Sequence, residues 1–162
     1  MKVYIGIDPG ASGGITAIID TNIGKIVSCS AFKDLENARF TLDLIKNNYR
    51  VDVHALIENV HAFPTDGRSS AFKFGKNAGQ WEGLLSAFEI PFDKVVPHKW
   101  MSWYGEMPKD KQERKNKLKE LAQGVLDDCG EKQKATLKTA DAILIANYNL
   151  KGGLNDKPNE RK

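Results

Sequence analysis

The sequence predicts an α/β protein, a mixed β-sheet with helices on its faces, and three observations carry that prediction. Residues 3–31 hold three apolar runs separated by glycine-containing turns, the pattern of an antiparallel meander. Beyond residue 35, stretches with helical spacing alternate with short apolar runs. The order meander, helix, strand, helix, strand, helices makes the later strands parallel neighbours joined by crossovers.

Each element follows from its residues. Val3, Ile5 and Ile7 alternate with Tyr4, Gly6 and Asp8, so the first strand ends on an acid. Pro9, Gly10, Gly13 and Gly14 turn the chain into a second apolar run, 15–19, and residues 25–31 complete the meander. Leu35, Ala38, Phe40, Leu42 and Ile45 stand near helical spacing and predict a helix over 35–49. Residues 52–58 form a short apolar run that also ends on an acid, Glu58. Pro64 and the Asp66-Gly67 pair make 59–68 a loop. Residues 69–88 predict a long helix capped by Ser69 or Ser70, 92–96 a short strand, and 98–104 one or two helical turns. Residues 109–126 read as a basic amphipathic helix and 135–150 as the last helix. The polar sequence after 150 predicts a disordered tail, giving a fold over 1–150 and a tail over 151–162.

Composition narrows the class. The 162 residues are 41% hydrophobic and 28% charged, ordinary for one globular domain. No apolar run approaches the ~20 residues that cross a bilayer, so no membrane role is expected. The first residues lack the apolar core of a secretory signal, which predicts a cytoplasmic protein. Cys29 and Cys129 stand apart without zinc-ligand spacing and are expected to be reduced thiols. A net charge of +3 only weakly favours an acidic partner.

The chemistry lies in three acids on apolar elements. If the strands ending in Asp8 and Glu58 are parallel neighbours, both carboxylates arrive at one edge of the sheet, where open α/β sheets bind ligands. In the last helix Leu137, Ala140, Leu144 and Tyr148 form a stripe with Asp141 and Ile145 on its flank, so Asp141 points coreward, where a bare carboxylate is costly. Taken singly, Asp8 is as readily a turn former and Glu58 a strand-end acid reaching solvent. Clustered carboxylates repel unless a cation joins them, and their hard oxygens suit Mg²⁺ or Mn²⁺. The set reads as a metal site.

These residues carry a resemblance. GIDPG (6–10), IE (57–58), SAFKFGKNAGQWEG (70–83) and TADAILIA (139–146) together resemble the Holliday junction resolvases of the RuvC type, in the RNase H-like superfamily. The likeness runs from Met1 to about Leu150, and the short chain looks like the compact phage versions. GIDPG alone also resembles the opening of sugar kinases and actin-like ATPases, but the ordered set is more specific. The resemblance implies an RNase H-like mixed sheet, with a three-strand antiparallel meander plus parallel strands, and a RuvC-like nuclease domain over 1–150. It implies that Asp8, Glu58 and Asp141 ligate two Mg²⁺ ions, with Mn²⁺ substituting, which cleave DNA phosphodiesters at four-way junctions and leave 5′-phosphates. Where the family often has Asp or His one helical turn before the last acid, this chain has Lys138. A lysine cannot ligate Mg²⁺ while charged; it can neutralise a pentacovalent phosphate, or simply face solvent.

The DNA contacts follow from charge and shape. Lys111, Arg114, Lys115 and Lys117 crowd one segment, which is either a solvated helix face or, beside a nuclease site, a phosphate track. Lys115 best matches the family's basic site. Arg68 and Lys76 are further phosphate-contact candidates. In similar resolvases an aromatic of the loop after the second acid wedges into the junction centre, and here His61 and Phe63 are the candidates. Trp100, Trp103 and Tyr104 are expected in the core, as is at least one of Phe72 and Phe74. A junction's two-fold symmetry implies a homodimer, in a bacterial or phage-infected host cytoplasm. Two readings stand beside this one: an RNase H-like nuclease acting on RNA or hybrids, and a non-catalytic nucleic-acid-binding module of the same fold.

Overall fold

In the computed structural model, residues 1–48, 52–59 and 67–154 are described. Alternation within β1 (Lys2–Asp8) decides the layers: Val3, Ile5 and Ile7 face one side, Tyr4, Gly6 and Asp8 the other. β2 (Gly14–Thr21) pairs antiparallel with β1, and β3 (Gly24–Ala31) antiparallel with β2. After α1 (Leu35–Asn48), β4 (Asp52–Glu58) pairs parallel with β1. α2 (Arg68–Ala87) then leads to β5 (Phe92–Val95), parallel to β4. α3 (Pro97–Ser102), α4 (Lys111–Asp128) and α5 (Ala140–Leu150) complete the chain. The five strands run in the order β3-β2-β1-β4-β5, the mixed sheet expected from the RNase H-like resemblance.

One hydrophobic cluster joins Val3, Ile5, Ile7, Val53, Ala55 and Ile57 to α1 and α2, including Leu42, Trp81 and Leu85. The other joins Ile18, Leu56 and Val95 to Trp100, to Leu118, Ala122 and Leu126 of α4, and to most of α5. The sheet is therefore covered on both faces, and α5 is buried almost all round: Ala142, Ile143, Leu144, Ile145 and Ala146 are inaccessible. A glycine makes this possible. A Cβ at Gly6 would collide with the Ala142 carbonyl and the Ala146 amide of α5, so the helix backbone rests directly on β1.

Several boundaries differ from expectation. The last helix starts at Ala140, five residues late, with Thr139 at its N-cap position. Leu137 is half exposed in the preceding turn and is not part of the buried stripe. α4 starts at Lys111 because the Asp110 carboxylate accepts hydrogen bonds from the amides of Gln112 and Glu113, a local N-cap that ends the preceding loop. α2 begins at Arg68 with Gly67, not a serine, at its N-cap. Beyond α5, residues 151–154 form a turn in which the Tyr148 hydroxyl donates to the Gly153 carbonyl. The predicted tail from 155 onward lies outside the described residues. No helix among the described residues is long and apolar enough to cross a membrane.

Candidate metal centre and nucleic-acid interface

The strands bring the first two acids together. Ile7 is in register with Ile57, so Asp8 and Glu58 finish neighbouring parallel strands, and the alternation puts both on the face covered by α5. α5 crosses that face with Asp141 in its first turn. The three carboxyls sense one another. Burial, then the charges of Glu58 and Asp141, holds Asp8 well above its ordinary value of 3.8, against an opposing pull from Lys115. Glu58 is only 8% exposed, and burial pushes it up to about 7; a hydrogen bond from Trp100 works in the opposite direction and Asp141 adds to the rise. Burial raises Asp141 to about 6, again opposed by Lys115.

The turn after Asp8 is shaped around it. A Cβ at Gly13 would strike the Asp8 carbonyl and stand 3.0 Å from the Asp8 carboxyl carbon. Gly10, at φ +131°, donates its amide to Oδ1 of buried Asn77 on α2 at 2.7 Å. The Phe74 ring lies beside the same glycine. Asn77 is a support of the turn after Asp8 that sequence reading missed. The signal was a polar residue four before Trp81 on the helix's inner face, both of them buried.

Trp100 is fully buried, as expected of a core residue, and it also donates from Nε1 to Glu58 Oε1 at 2.8 Å. That bond fixes one oxygen of a carboxylate that burial would otherwise keep protonated. Trp100→Phe should therefore raise the Glu58 pKa further. We expect the pH at which a Glu58-dependent activity half-develops to move upward, with the rate down about tenfold at neutral pH, the scale of one lost positioning bond to a charged group. A pH–rate profile measures both.

The basic candidates separate into different tasks. Lys115 is exposed on α4, and its charge bears on both Asp8 and Asp141. Arg114 donates from Nη1 to the carbonyls of Pro108 and Lys109, and Lys117 donates to the Glu106 carbonyl at 2.7 Å, so both brace the turn ahead of α4. Lys111, Arg68 and Lys76 are exposed. Lys138 is exposed in the turn before α5 rather than on the helix, its carbonyl packed near Gly14. It is Lys115 whose charge opposes the raised values of the acids. Phe72 is 74% exposed while Phe74 is half-buried. His61 and Phe63 lie outside the described residues.

The donor set fits a hard divalent cation. Three carboxyls are held partly out of water at mutually repelling distance, with oxygen ligands of the kind Mg²⁺ and Mn²⁺ take. The cage is not preassembled: among the described residues no three acidic, histidine or cysteine side chains already converge as an ion's ligands. The raised pKa values have a direct consequence. Glu58 and Asp141 bind protons more tightly folded than unfolded, so their contribution to stability is complete below about 4 and is lost as pH rises through about 6 and about 7. In chelator the melting temperature should fall across that window, and Mn²⁺ should restore it most above pH 7, where ligands are deprotonated. Thermal melts across pH with and without Mn²⁺ measure this; a flat profile would mean that the acids are solvated.

The sheet order and the two covering helical layers define an RNase H-like fold. Comparison with solved structures agrees on the fold. Thermus thermophilus RuvC in complex with Holliday junction substrate aligns with a TM-score of 0.60 and 16% identity, over 90% of each chain. A second Thermus thermophilus RuvC structure aligns at 0.58 and 18%, over 93% of this chain and 97% of that one. A Fowlpox virus resolvase bound to Holliday junction DNA aligns at 0.47 and 12%, over 93% and 99%. No protein-family model matches the sequence, and no curated protein matches it. The two RuvC alignments show that the chain has the RuvC fold.

Proposed function

We infer that the chain is a divalent-metal-dependent, structure-selective DNA endonuclease that resolves four-way junctions by paired nicks leaving 5′-phosphates. What supports this reading is the placement of Asp8 and Glu58 at the ends of two neighbouring parallel strands, on the face crossed by the buried helix that carries Asp141. The RuvC fold adds a scaffold on which a related protein holds Holliday junction DNA. Asp8, Glu58 and Asp141 would hold the cations, which when bound supply an activated water and stabilise the leaving 3′ oxygen. Trp100 orients Glu58, and the turn through Gly10 and Gly13 orients Asp8. Lys115 offers positive charge where a scissile phosphate would meet the acids, and exposed Lys111, Lys76 and Arg68 extend the phosphate contacts. His61 or Phe63 would enter the junction centre, and a two-fold substrate needing two nicks calls for two copies of the chain.

The test is Mg²⁺- or Mn²⁺-dependent nicking of a synthetic four-way junction beside linear duplex and RNA–DNA hybrid. Junction-selective nicks with 5′-phosphate ends are expected; preferential cleavage of the hybrid would transfer the reading to an RNase H-like activity, and binding without cleavage to a silent module. The two lysines separate in the same assay. Lys115→Met should slow single-turnover cleavage about a hundredfold, the scale of one lost transition-state charge. Lys138→Met tests whether the turn lysine reaches the phosphate: a comparable loss is expected if it does, and a rate within about twofold of wild type makes it a surface lysine.

A further inference from the structure

The three acid-bearing elements meet a second time, at the opposite end of the same sheet face. Asn149, near the C-terminus of α5, is buried at 7% exposure. Its amide nitrogen donates to the Ile5 carbonyl of β1 at 3.2 Å and to the His54 carbonyl of β4 at 3.1 Å. With both amide protons so used, its oxygen faces His54 Nδ1 at 3.0 Å. The other ring nitrogen of His54 reaches Asp93 Oδ2 on β5 at 3.1 Å. Both ring nitrogens therefore stand within hydrogen-bond distance of side-chain oxygens, which tie β4 to α5 and to β5.

We propose that Asn149, locked by His54 and Asp93, is the positioning residue that sets the register of α5 along the hydrogen-bonded β1–β4 pair and thereby the placement of Asp141 against Asp8 and Glu58. The spacing supports this. Asn149 lies eight helical steps from Asp141, a rise of about 12 Å. His54 lies four strand steps from Glu58, about 13 Å, and Ile5 three from Asp8, about 10 Å. The clamp thus grips each rigid element at a similar distance from its acid. Between clamp and acids the packing is tight, because Gly6 lets the α5 backbone rest on β1 at Ala142 and Ala146. Such a contact resists separation of helix and strand. Directional bonds at Asn149 add a fixed position along the helix axis. A misplacement of about 1 Å can cost on the order of a hundredfold in rate.

This inference rests on the nuclease reading for its consequence but not for its geometry, and the test separates the two. Asn149→Leu removes the whole clamp, and Asn149→Asp keeps an acceptor for His54 while removing both donors to the strands. Leu85→Ala, on the opposite face of the sheet, serves as a control for stability loss alone. For both Asn149 variants we expect the backbone amide resonances of Asp8, Glu58 and Asp141 to move together, and Mn²⁺ affinity without DNA to weaken about tenfold. Junction affinity should stay within about twofold while single-turnover nicking falls about a hundredfold. In Asn149→Leu the nitrogen-15 signal of a hydrogen-bonded His54 Nδ1–H should disappear. Variants that match Leu85→Ala in Mn²⁺ affinity and nicking rate would overturn the clamp. If wild type neither binds Mn²⁺ nor nicks, the nuclease reading fails; the clamp then stands if the three acid amides move together, and falls if only signals around residue 149 move.

Discussion

Asp8→Asn, Glu58→Gln and Asp141→Asn are each expected to abolish junction nicking, by about a thousandfold or more, while junction affinity holds or rises. Each change keeps the side-chain shape and removes one hard anionic ligand, so metal-assisted chemistry is lost and phosphate repulsion is relieved. The same changes carry a second, opposite signature. Asp8 is held well above its ordinary pKa by burial and by the charges of Glu58 and Asp141, so its neutral amide should relieve strain among the acids. Metal-free Asp8→Asn should therefore melt higher than wild type near neutral pH, and should lose the Mn²⁺-induced stabilisation. Single-turnover kinetics, filter binding and melts with and without Mn²⁺ read all three. An Asp8→Asn protein that nicks normally would remove Asp8 from the centre, and one that melts lower would contradict the repulsion.

Gly6→Ala is expected to damage both stability and activity severely. The added Cβ has no flexible side chain to push aside; it meets the backbone of Ala142 and Ala146 on α5. The helix must lift from β1, and overpacking of this kind costs about 1–3 kcal/mol or more. Because Asp141 rides on α5, nicking should fail even in protein that remains folded. Gly83→Ala is the matched comparison: nothing lies within 4 Å of its built Cβ, and alanine suits a helix interior better than glycine by about 1 kcal/mol. Denaturant melts of the two variants should shift in opposite directions. A Gly6→Ala protein as stable and active as wild type would mean that α5 does not rest on β1 at this point.

Much of this architecture was legible because it depends on local pattern. Alternation of Val3, Ile5 and Ile7 with Gly6 and Asp8 gives both the strand and the face on which the acid stands, since side chains alternate across a sheet. The same period in β4 puts Leu56 and Glu58 on that face. Ordered after a meander and a helix, β4 pairs parallel with β1, so two acids at strand ends could be expected at one edge. Helical spacing was a weaker guide in α5: when nearly every position is buried, a stripe has no contrast, and the start fell five residues early.

What only the tertiary structure decided are the partners that cross elements. Trp100 read as core and is core, but its indole nitrogen meets Glu58 only because α3 follows β5 beneath the end of β4. Asn77 meets Gly10 across 67 residues, and Asn149 meets Ile5 across 144. Among similar lysines of one basic segment, Lys117 is tied to a backbone carbonyl while Lys115 bears on the acids. Chain periodicity determines which way a side chain points; it carries no information about the distant group waiting there. Most buried polar atoms find partners, and packing, not local propensity, chooses them.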